Sequence, residues 1–181
     1  MNDIQTDICV IGGGAGGLSV AAVASQMGAN VVLCEKNKMG GDCLNYGCVP
    51  SKALIEASRI MHHTLRGDEF GIITKHCEVD FKKLHQHIHG SIAAIAPHDS
   101  IERFESLGVK IINDHAKFKD NKTVIASNTN ISAKFFVIAT GSNPTLPPIP
   151  GLNETNFLTN ETIFNIDIRP QNLVVIGGGS I

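Results

Sequence analysis

The residues best equipped for chemistry form one run, Gly40-Gly41-Asp42-Cys43-Leu44-Asn45-Tyr46-Gly47-Cys48-Val49-Pro50-Ser51-Lys52. Two thiols stand five residues apart, and a proline follows two residues after the second. Proline is tolerated in a helix only in its first turn. A helix therefore starts near Gly47 to Val49 and runs on through Ala53, Leu54, Ile55, Ala57 and Ile60. Cys48 falls at its N-terminus, where the backbone dipole favours a thiolate. Lys52 lies one turn further along the same face, where an ammonium stabilises nearby negative charge. In one regular helix, positions five apart are separated by a rise of ~7.5 Å, whereas bridged cysteines have Cα atoms ~4.4–6.8 Å apart. Pairing thus requires Cys43 to sit on a non-helical bend, for which Gly40, Gly41, Asn45 and Gly47 supply flexible backbone. The spacing alone leaves two readings open: a redox-active pair, or two unrelated buried thiols.

Something must position that run. Ile4 to Ile11 reads as a short buried strand, followed by Gly12-Gly13-Gly14-Ala15-Gly16-Gly17 and a small-residue helix from about Leu18 to Met27. Val31-Val32-Leu33-Cys34 is a second strand, closed by Glu35. Gly12, Gly14 and Gly17 fit the G-x-G-x-x-G pattern of a dinucleotide-binding βαβ unit. In that pattern the first glycine allows the tight turn, the second lets backbone approach a pyrophosphate, and the third lets helix and strand pack closely. The helix N-terminus holds the phosphates. Glu35 would accept hydrogen bonds from a ribose diol and repel a 2′-phosphate. The competing reading is a merely structural glycine-rich turn.

Further along, Asp80 to Leu107 reads as mostly helical, with Phe81, Leu84, Ile88, Ile92 and Ile95 on one face and a break at Pro97. Val109 to Ile112 is a strand. Phe118 and Thr123 to Ala126 suggest a small antiparallel excursion around Asp120-Asn121, and Phe135 to Ala139 is a buried strand ending in Thr140-Gly141-Ser142. Residues 147–151 form a proline-rich linker between a unit over 1–146 and a shorter piece over 152–181. Within that piece Asn172 to Ile176 reads as a strand entering a second glycine turn at Gly177-Gly178-Gly179, so the chain is expected to be a truncated part of a longer protein.

Composition narrows the classes. A chain of 181 residues suffices for one good core but not for two complete dinucleotide domains. With a net charge of −2 and no basic run, nucleic acid is not expected as a partner. Glycines at positions 12, 13, 14, 16 and 17 break the apolar stretch from Ile8 to Ala24, against both a signal peptide and a membrane span. Five cysteines without a secretory signal point to a reducing, cytoplasmic setting. No Cys-x-x-Cys is present, which argues against structural zinc, and no metal site is expected. His85 and His89 share a helical face at ligand spacing, yet no cysteine or carboxylate joins them, so a solvated face is expected. Cys9 and Cys34 read as inert core thiols and Cys77 as a loop thiol. His98 beside Asp99 reads as a loop hydrogen-bonding pair.

Taken together, Gly12-x-Gly14-x-x-Gly17, Glu35, Cys43-x-x-x-x-Cys48-x-Pro50-Ser51-Lys52, Ala139-Thr140-Gly141 and the glycine start at Gly177 resemble the class I pyridine nucleotide–disulfide oxidoreductases. That family includes dihydrolipoamide dehydrogenase, glutathione reductase and mercuric reductase. The resemblance covers essentially the whole chain. It implies an α/β fold: a Rossmann-like FAD-binding domain of the glutathione-reductase type, with a parallel sheet, helices and a small antiparallel excursion. It also implies that Gly12, Gly14, Ala15, Gly16, Gly17, Glu35 and Lys36 hold FAD, helped by Gly41 and Asp42. Ala116, next to His115, would pass the adenine, and Ala139, Thr140 and Gly141 would close over the dinucleotide. NAD(P) would bind at the second glycine turn.

The chemistry so implied is a relay from NAD(P)H through FAD to a Cys43–Cys48 disulfide. Cys48 would be the flavin-side thiol, Cys43 the outer thiol that attacks the substrate, and Lys52 an electrostatic tuner near the flavin. The partners implied are a small-molecule disulfide, a dithiol or Hg(II), with a homodimer in the longer protein. The stretches around 40–52 and 95–100 look most like mercuric-reductase-like members, although Asp42 and Tyr46 depart from the commoner threonine and smaller residue. The competing reading is a non-catalytic flavin- or nucleotide-binding module with a structural disulfide.

Overall fold

A computed structural model describes residues 2–179. Its centre is a six-stranded sheet in the order β3-β2-β1-β6-β5-β4. The strands are β1 (Asn2–Ile11), β2 (Val31–Cys34), β3 (Val109–Ile112), β4 (Lys117–Asp120), β5 (Thr123–Ala126) and β6 (Thr129–Ile138). β1 pairs in parallel with both β2 and β6, and β2 with β3. β5 runs antiparallel to both of its neighbours, β4 and β6. All four residues of β2 are buried, as a strand covered on both faces requires. Alternation then sorts side chains to two cores. Val10, Val31, Leu33 and Val109 pack with Leu18, Ala21 and Phe104 on one face. Cys9, Ile11, Val32, Cys34 and Ile112 pack with Val124, Ala126 and Ile131.

The connections explain the topology. Helix α1 (Ala15–Gln26) carries the first parallel crossover from β1 to β2. A long second crossover contains α2 (Gly41–Asn45), α3 (Cys48–Leu65), α4 (Phe81–Ile95) and α5 (Ile101–Ser106). The break expected at Pro97 is present as a 3-10 turn over Ala96–Asp99. Asp80 caps α4 and Ser100 caps α5, each accepting a backbone N–H three residues on. The β5–β6 hairpin closes through Ser127 and Asn128 at φ 47° and 57°, the doubly left-handed pair of a two-residue turn whose twist suits flanking strands.

Three sequence expectations are corrected here. The strand expected over Phe135 to Ala139 is the second half of β6, which begins at Thr129 and spans ten residues. Thr123 to Ala126 lends it a partner, and pairing with β1 from Asn2 onward extends it. Cys43 lies in the short helix α2, not on a non-helical bend; the bend falls after it, at Tyr46 and Gly47. Asn172 to Ile176 forms no strand. A strand needs a neighbour to satisfy its backbone, and among the described residues none lies beside this segment, which leaves Val174 84% exposed. Among the described residues no helix is long and apolar enough to cross a membrane.

Candidate active site

The glycine turn between β1 and α1 is built as its sequence requires. Gly12 adopts φ +111°, and a Cβ there would overlap the Ala139 carbonyl, whose carbon stands only 2.7 Å away. The Ala139 N–H in turn donates to the Ile11 carbonyl at 2.8 Å. Ala139-Thr140-Gly141 is thereby set directly against the turn, with Gly141 at φ +67°. A Cβ on Gly17 would overlap the Gly12 carbonyl, so helix and turn touch backbone to backbone. Gly14 differs: it is the N-cap of α1, with no side-chain cap on the helix. A Cβ there would find only the Gly41 Cα, at 3.7 Å, and one on Gly16 would find nothing within 4 Å. Ala15 and Gly16 are exposed. Gly14 and Gly16 thus leave an open backbone cradle at a helix N-terminus, which fits a pyrophosphate.

Glu35 is 8% exposed and ends β2. Its carboxylate accepts the backbone N–H of Gly13 and, at 2.6 Å, that of Asn37. It therefore braces the glycine turn, a role its position in the motif did not announce. Each carboxylate oxygen keeps a second lone pair for a ribose hydroxyl. Lys36 beside it is exposed. Ala116 packs against the core cluster that contains Cys34 and Ile112, on the loop beyond β3.

The thiol segment is joined to this turn through backbone alone. The Gly40 N–H donates to the Gly13 carbonyl at 2.9 Å, and Gly14 and Gly40 form an isolated parallel bridge. Gly41 has φ +55°, and a Cβ on it would stand 2.6 Å from the Gly14 Cα. Gly41 therefore cannot carry a side chain on the side that faces Gly14. Buried Leu44 anchors α2. Asn45 ties it down by donating to the Met39 and Gly41 carbonyls at 3.1 and 2.8 Å. Lys38 lies over the Tyr46 ring, 5.6 Å from its centroid. Gly47 caps α3, and Cys48 is its first residue, with Pro50 buried in the first turn.

Cys43 and Cys48 are free thiols, the first half-buried and the second exposed. The neighbouring Cys48 side chain and burial push the Cys43 thiol up, while the Cys48 N–H and the Lys52 ammonium oppose the shift. Lys52 is exposed on α3. The structure thus brings Gly12 to Gly17, Glu35, Gly41, Asp42, Cys43, Cys48, Lys52, Ala139 and Thr140 to one end of the sheet, where β1, β2 and β6 finish. The roles of Gly13 and Gly40 were missed in the sequence. Their signal was the run of adjacent glycines, more than a three-glycine pattern needs.

The remaining candidates fall elsewhere. The His85 and His89 rings stack at 4.2 Å, half-buried where a solvated face was expected, and His89 Nε2 contacts the Phe164 carbonyl at 3.2 Å. No group of three metal-ligating His, Cys, Asp or Glu side chains occurs among the described residues. Cys9 and Cys34 are fully buried, and the neighbouring Cys9 side chain together with burial pushes the Cys34 thiol far up. Cys77 is half-buried and donates to Met61 Sδ at 3.2 Å. The His98 carbonyl accepts from Arg103 at 2.6 Å. A surface depression is lined by Asn2, Asp3, Lys110 and Ser127 among others, and no site residue lines it.

A glycine cradle with a terminal carboxylate, stitched to a thiol pair at a helix start, describes a single chemical unit, and comparison with known proteins agrees. The family model for pyridine nucleotide-disulphide oxidoreductases matches residues 6–181. The chain belongs to that family. Within it, a mercuric reductase from Staphylococcus aureus is 35% identical over 179 residues, covering 99% of this chain and 33% of that protein. A dihydrolipoyl dehydrogenase from Geobacillus stearothermophilus is 35% identical over 183 residues, covering 98% of this chain and 38% of that protein. A dihydrolipoyl dehydrogenase from Acholeplasma laidlawii is 31% identical over 182 residues, 98% of this chain and 54% of that protein. This chain therefore spans a third to about half the length of these oxidoreductase relatives. The mixed sheet, parallel but for the β4–β6 excursion, is the Rossmann-like architecture that the resemblance implied.

Proposed function

We propose that this chain is the FAD-binding, thiol-bearing part of an oxidoreductase that passes electrons from NAD(P)H to a disulfide or a thiol-bound soft metal. The observation that carries the reading is the backbone seam between Gly13-Gly14 and Gly40-Gly41, which holds the nucleotide cradle against the thiol pair. Gly12, Gly14, Ala15, Gly16 and Gly17 would hold the pyrophosphate, with Glu35 and Lys36 at the ribose. Gly41, Asp42, Ala116, Ala139, Thr140 and Gly141 would line the rest. FAD, when bound, supplies the two-electron transfer between a nicotinamide and a disulfide.

The chain's own residues do the remainder. Cys48, at the start of α3, is the thiol nearer the cradle in role, and Lys52 offsets negative charge as the pair is reduced. Cys43 keeps a proton and, once deprotonated, attacks the substrate as the outer thiolate. Its partner then resolves the mixed species and the Cys43–Cys48 disulfide is restored. Residues 1–146 form the FAD-binding unit, 147–151 a linker, and 152–181 the opening of an NAD(P)-binding unit. The whole protein is a cytoplasmic homodimer. Its substrate is Hg(II), a small disulfide or a dithiol, since relatives of both names match this chain equally well. Stimulation of NAD(P)H oxidation by Hg(II) or by lipoamide in the whole protein decides between them.

The test of the cradle is flavin retention. Gly14→Val puts a side chain on the open side of the turn, where its Cβ would meet only the Gly41 Cα, at 3.7 Å. It should abolish bound FAD, read from visible absorbance, while far-ultraviolet circular dichroism stays that of the parent. A full flavin complement in Gly14→Val would overturn the assignment.

A further inference from the structure

The segment beyond the proline-rich stretch returns to the thiol turn. Asn160 Nδ2 donates to Asp42 Oδ1 at 2.8 Å, across 118 residues of sequence. Thr159 and Thr162 fix the approach. The Thr159 N–H donates to Thr162 Oγ1 at 2.9 Å, and the Thr162 and Ile163 N–H groups donate to the Thr159 carbonyl at 3.1 and 2.9 Å. One turn later the Phe164 carbonyl meets His89 Nε2 on α4 at 3.2 Å. Asn160 is therefore presented by a folded strap with a second anchor.

Asp42 passes that contact on. It immediately precedes Cys43, and its carbonyl accepts the Tyr46 N–H at 2.8 Å. Its other carboxylate oxygen leans over Gly47: a Cβ on Gly47 would lie 3.0 Å from Asp42 Oδ2 and 3.1 Å from the Asp42 carbonyl oxygen. Gly47 is the joint between the helix that carries Cys43 and the helix that starts at Cys48. The two thiols flank this joint, so its conformation sets how readily they bridge.

We propose that Asp42 and Asn160 are positioning residues for the thiol pair: the strap holds Asp42, Asp42 holds the Gly47 joint, and the joint sets the effective concentration of one thiol for the other. This rests on the proposed redox role of Cys43 and Cys48. It adds that a residue outside the nucleotide-binding unit helps to set the pair's oxidation equilibrium. Pre-organisation of two linked groups raises their effective concentration without any new contact at the reacting atoms.

The experiment uses the chain itself, equilibrated in glutathione redox buffers. Oxidation there is balanced: the two thiols and one glutathione disulfide give the Cys43–Cys48 disulfide and two glutathione thiols. The equilibrium constant is read by thiol trapping and mass spectrometry. Asn160→Asp sets two carboxylates against each other and should lower the constant by about three- to tenfold. Tenfold corresponds to ~30 mV for this two-electron couple. The exchanged pair, Asp42→Asn with Asn160→Asp, keeps the net charge, restores one amide-to-carboxylate hydrogen bond, and should recover the parent value to within about twofold. A role confined to docking the strap would lower the melting temperature of Asn160→Asp and leave the constant unchanged, which would overturn the inference. So would an exchanged pair as poor as the single variant. If the parent chain forms no Cys43–Cys48 disulfide in these buffers, the redox reading of the pair falls and this inference with it.

Discussion

The glycines of the first turn divide into two kinds, and single alanine substitutions should separate them. At Gly17 an added Cβ overlaps the Gly12 carbonyl and stands 3.0 Å from its carbon and 3.2 Å from Val10 Cγ1. These are backbone and core atoms, so relief requires α1 to move off β1. Overpacking of this kind costs up to ~3 kcal/mol, and alanine in a helix returns ~1 kcal/mol. The net is a loss of about 2 kcal/mol, or a fall of about 4–8 °C in melting temperature for a chain of this size. At Gly14 the backbone is extended, with φ −84° and ψ −177°, and the nearest atom is at an ordinary 3.7 Å. The cost is that of alanine at an N-cap, about 0.7 kcal/mol relative to glycine, or about 1–3 °C. Gly16→Ala meets nothing and should be neutral or stabilising by up to ~1 kcal/mol. Thermal unfolding of the flavin-free chain, followed by circular dichroism, should therefore rank Gly16→Ala first, then the parent, Gly14→Ala and Gly17→Ala. Flavin affinity should rank differently, with Gly14→Ala losing affinity out of proportion to its small loss of stability. A Gly14→Ala variant destabilised as much as Gly17→Ala would refute the division between packing glycine and ligand-facing glycine.

Two further outcomes follow from charges in the structure. Lys52→Met removes an ammonium that favours the Cys43 thiolate, so the pH midpoint for alkylation of Cys43 by iodoacetamide should move up. Because Lys52 is exposed, 1 M salt should erase most of the difference between variant and parent; a midpoint that stays put at low salt would contradict the assigned role. Asp7 joins three parts of the sheet: it accepts from the Asn30 N–H at 2.9 Å and side chain at 3.1 Å, and pairs with Lys134 at 2.7 Å. The Lys134 ammonium and the Asn30 donors bring its carboxyl down from 3.8 to about 2. A depressed carboxyl stabilises the fold above its unfolded value and loses that contribution as pH falls through the folded one. Asp7→Asn should therefore be less stable than the parent at pH 6 in urea titrations, and the gap should close between pH 4 and pH 2. A gap independent of pH would show that the carboxylate charge is not what matters there.

Much of this site could be read along the chain because its constraints are local. Pro50 and Gly47 place the start of α3 to within a residue, since each acts on its own backbone. The spacing of Gly12, Gly14 and Gly17 finds the cradle for the same reason. What escaped the reading depends on neighbours distant in sequence. Cys43 is helical because Leu44 is buried and Asn45 bonds back to Met39 and Gly41, a one-turn stabilisation with no periodic signature. The first half of β6 was missed because Thr129 to Lys134 mixes polar and apolar residues, and only pairing with β1 and β5 makes it a strand. Conversely, Asn172 to Ile176 has the composition of a buried strand but, among the described residues, no strand to pair with, and composition alone does not fold it. Glu35 reads in the sequence as a ribose acid and not as a brace, because the N–H it holds belongs to a glycine 22 residues earlier.

The contact between Gly14 and Gly41 bears on how such a protein could be rebuilt. A Cβ on Gly41 would run into the Gly14 backbone, whereas one on Gly14 would meet the Gly41 Cα only at an ordinary 3.7 Å, so position 41 cannot be randomised while the backbone at position 14 keeps its place, and no change of side chain at position 14 compensates a larger residue at position 41. A thiol turn cut out as 40–52 and grafted onto a different nucleotide-binding scaffold would arrive without its seat. The smallest portable unit is the stretch from Gly12 through Lys52, and a recombination library that breaks the chain within it should yield folded proteins only where the parent that supplies the thiol turn keeps glycine at position 41.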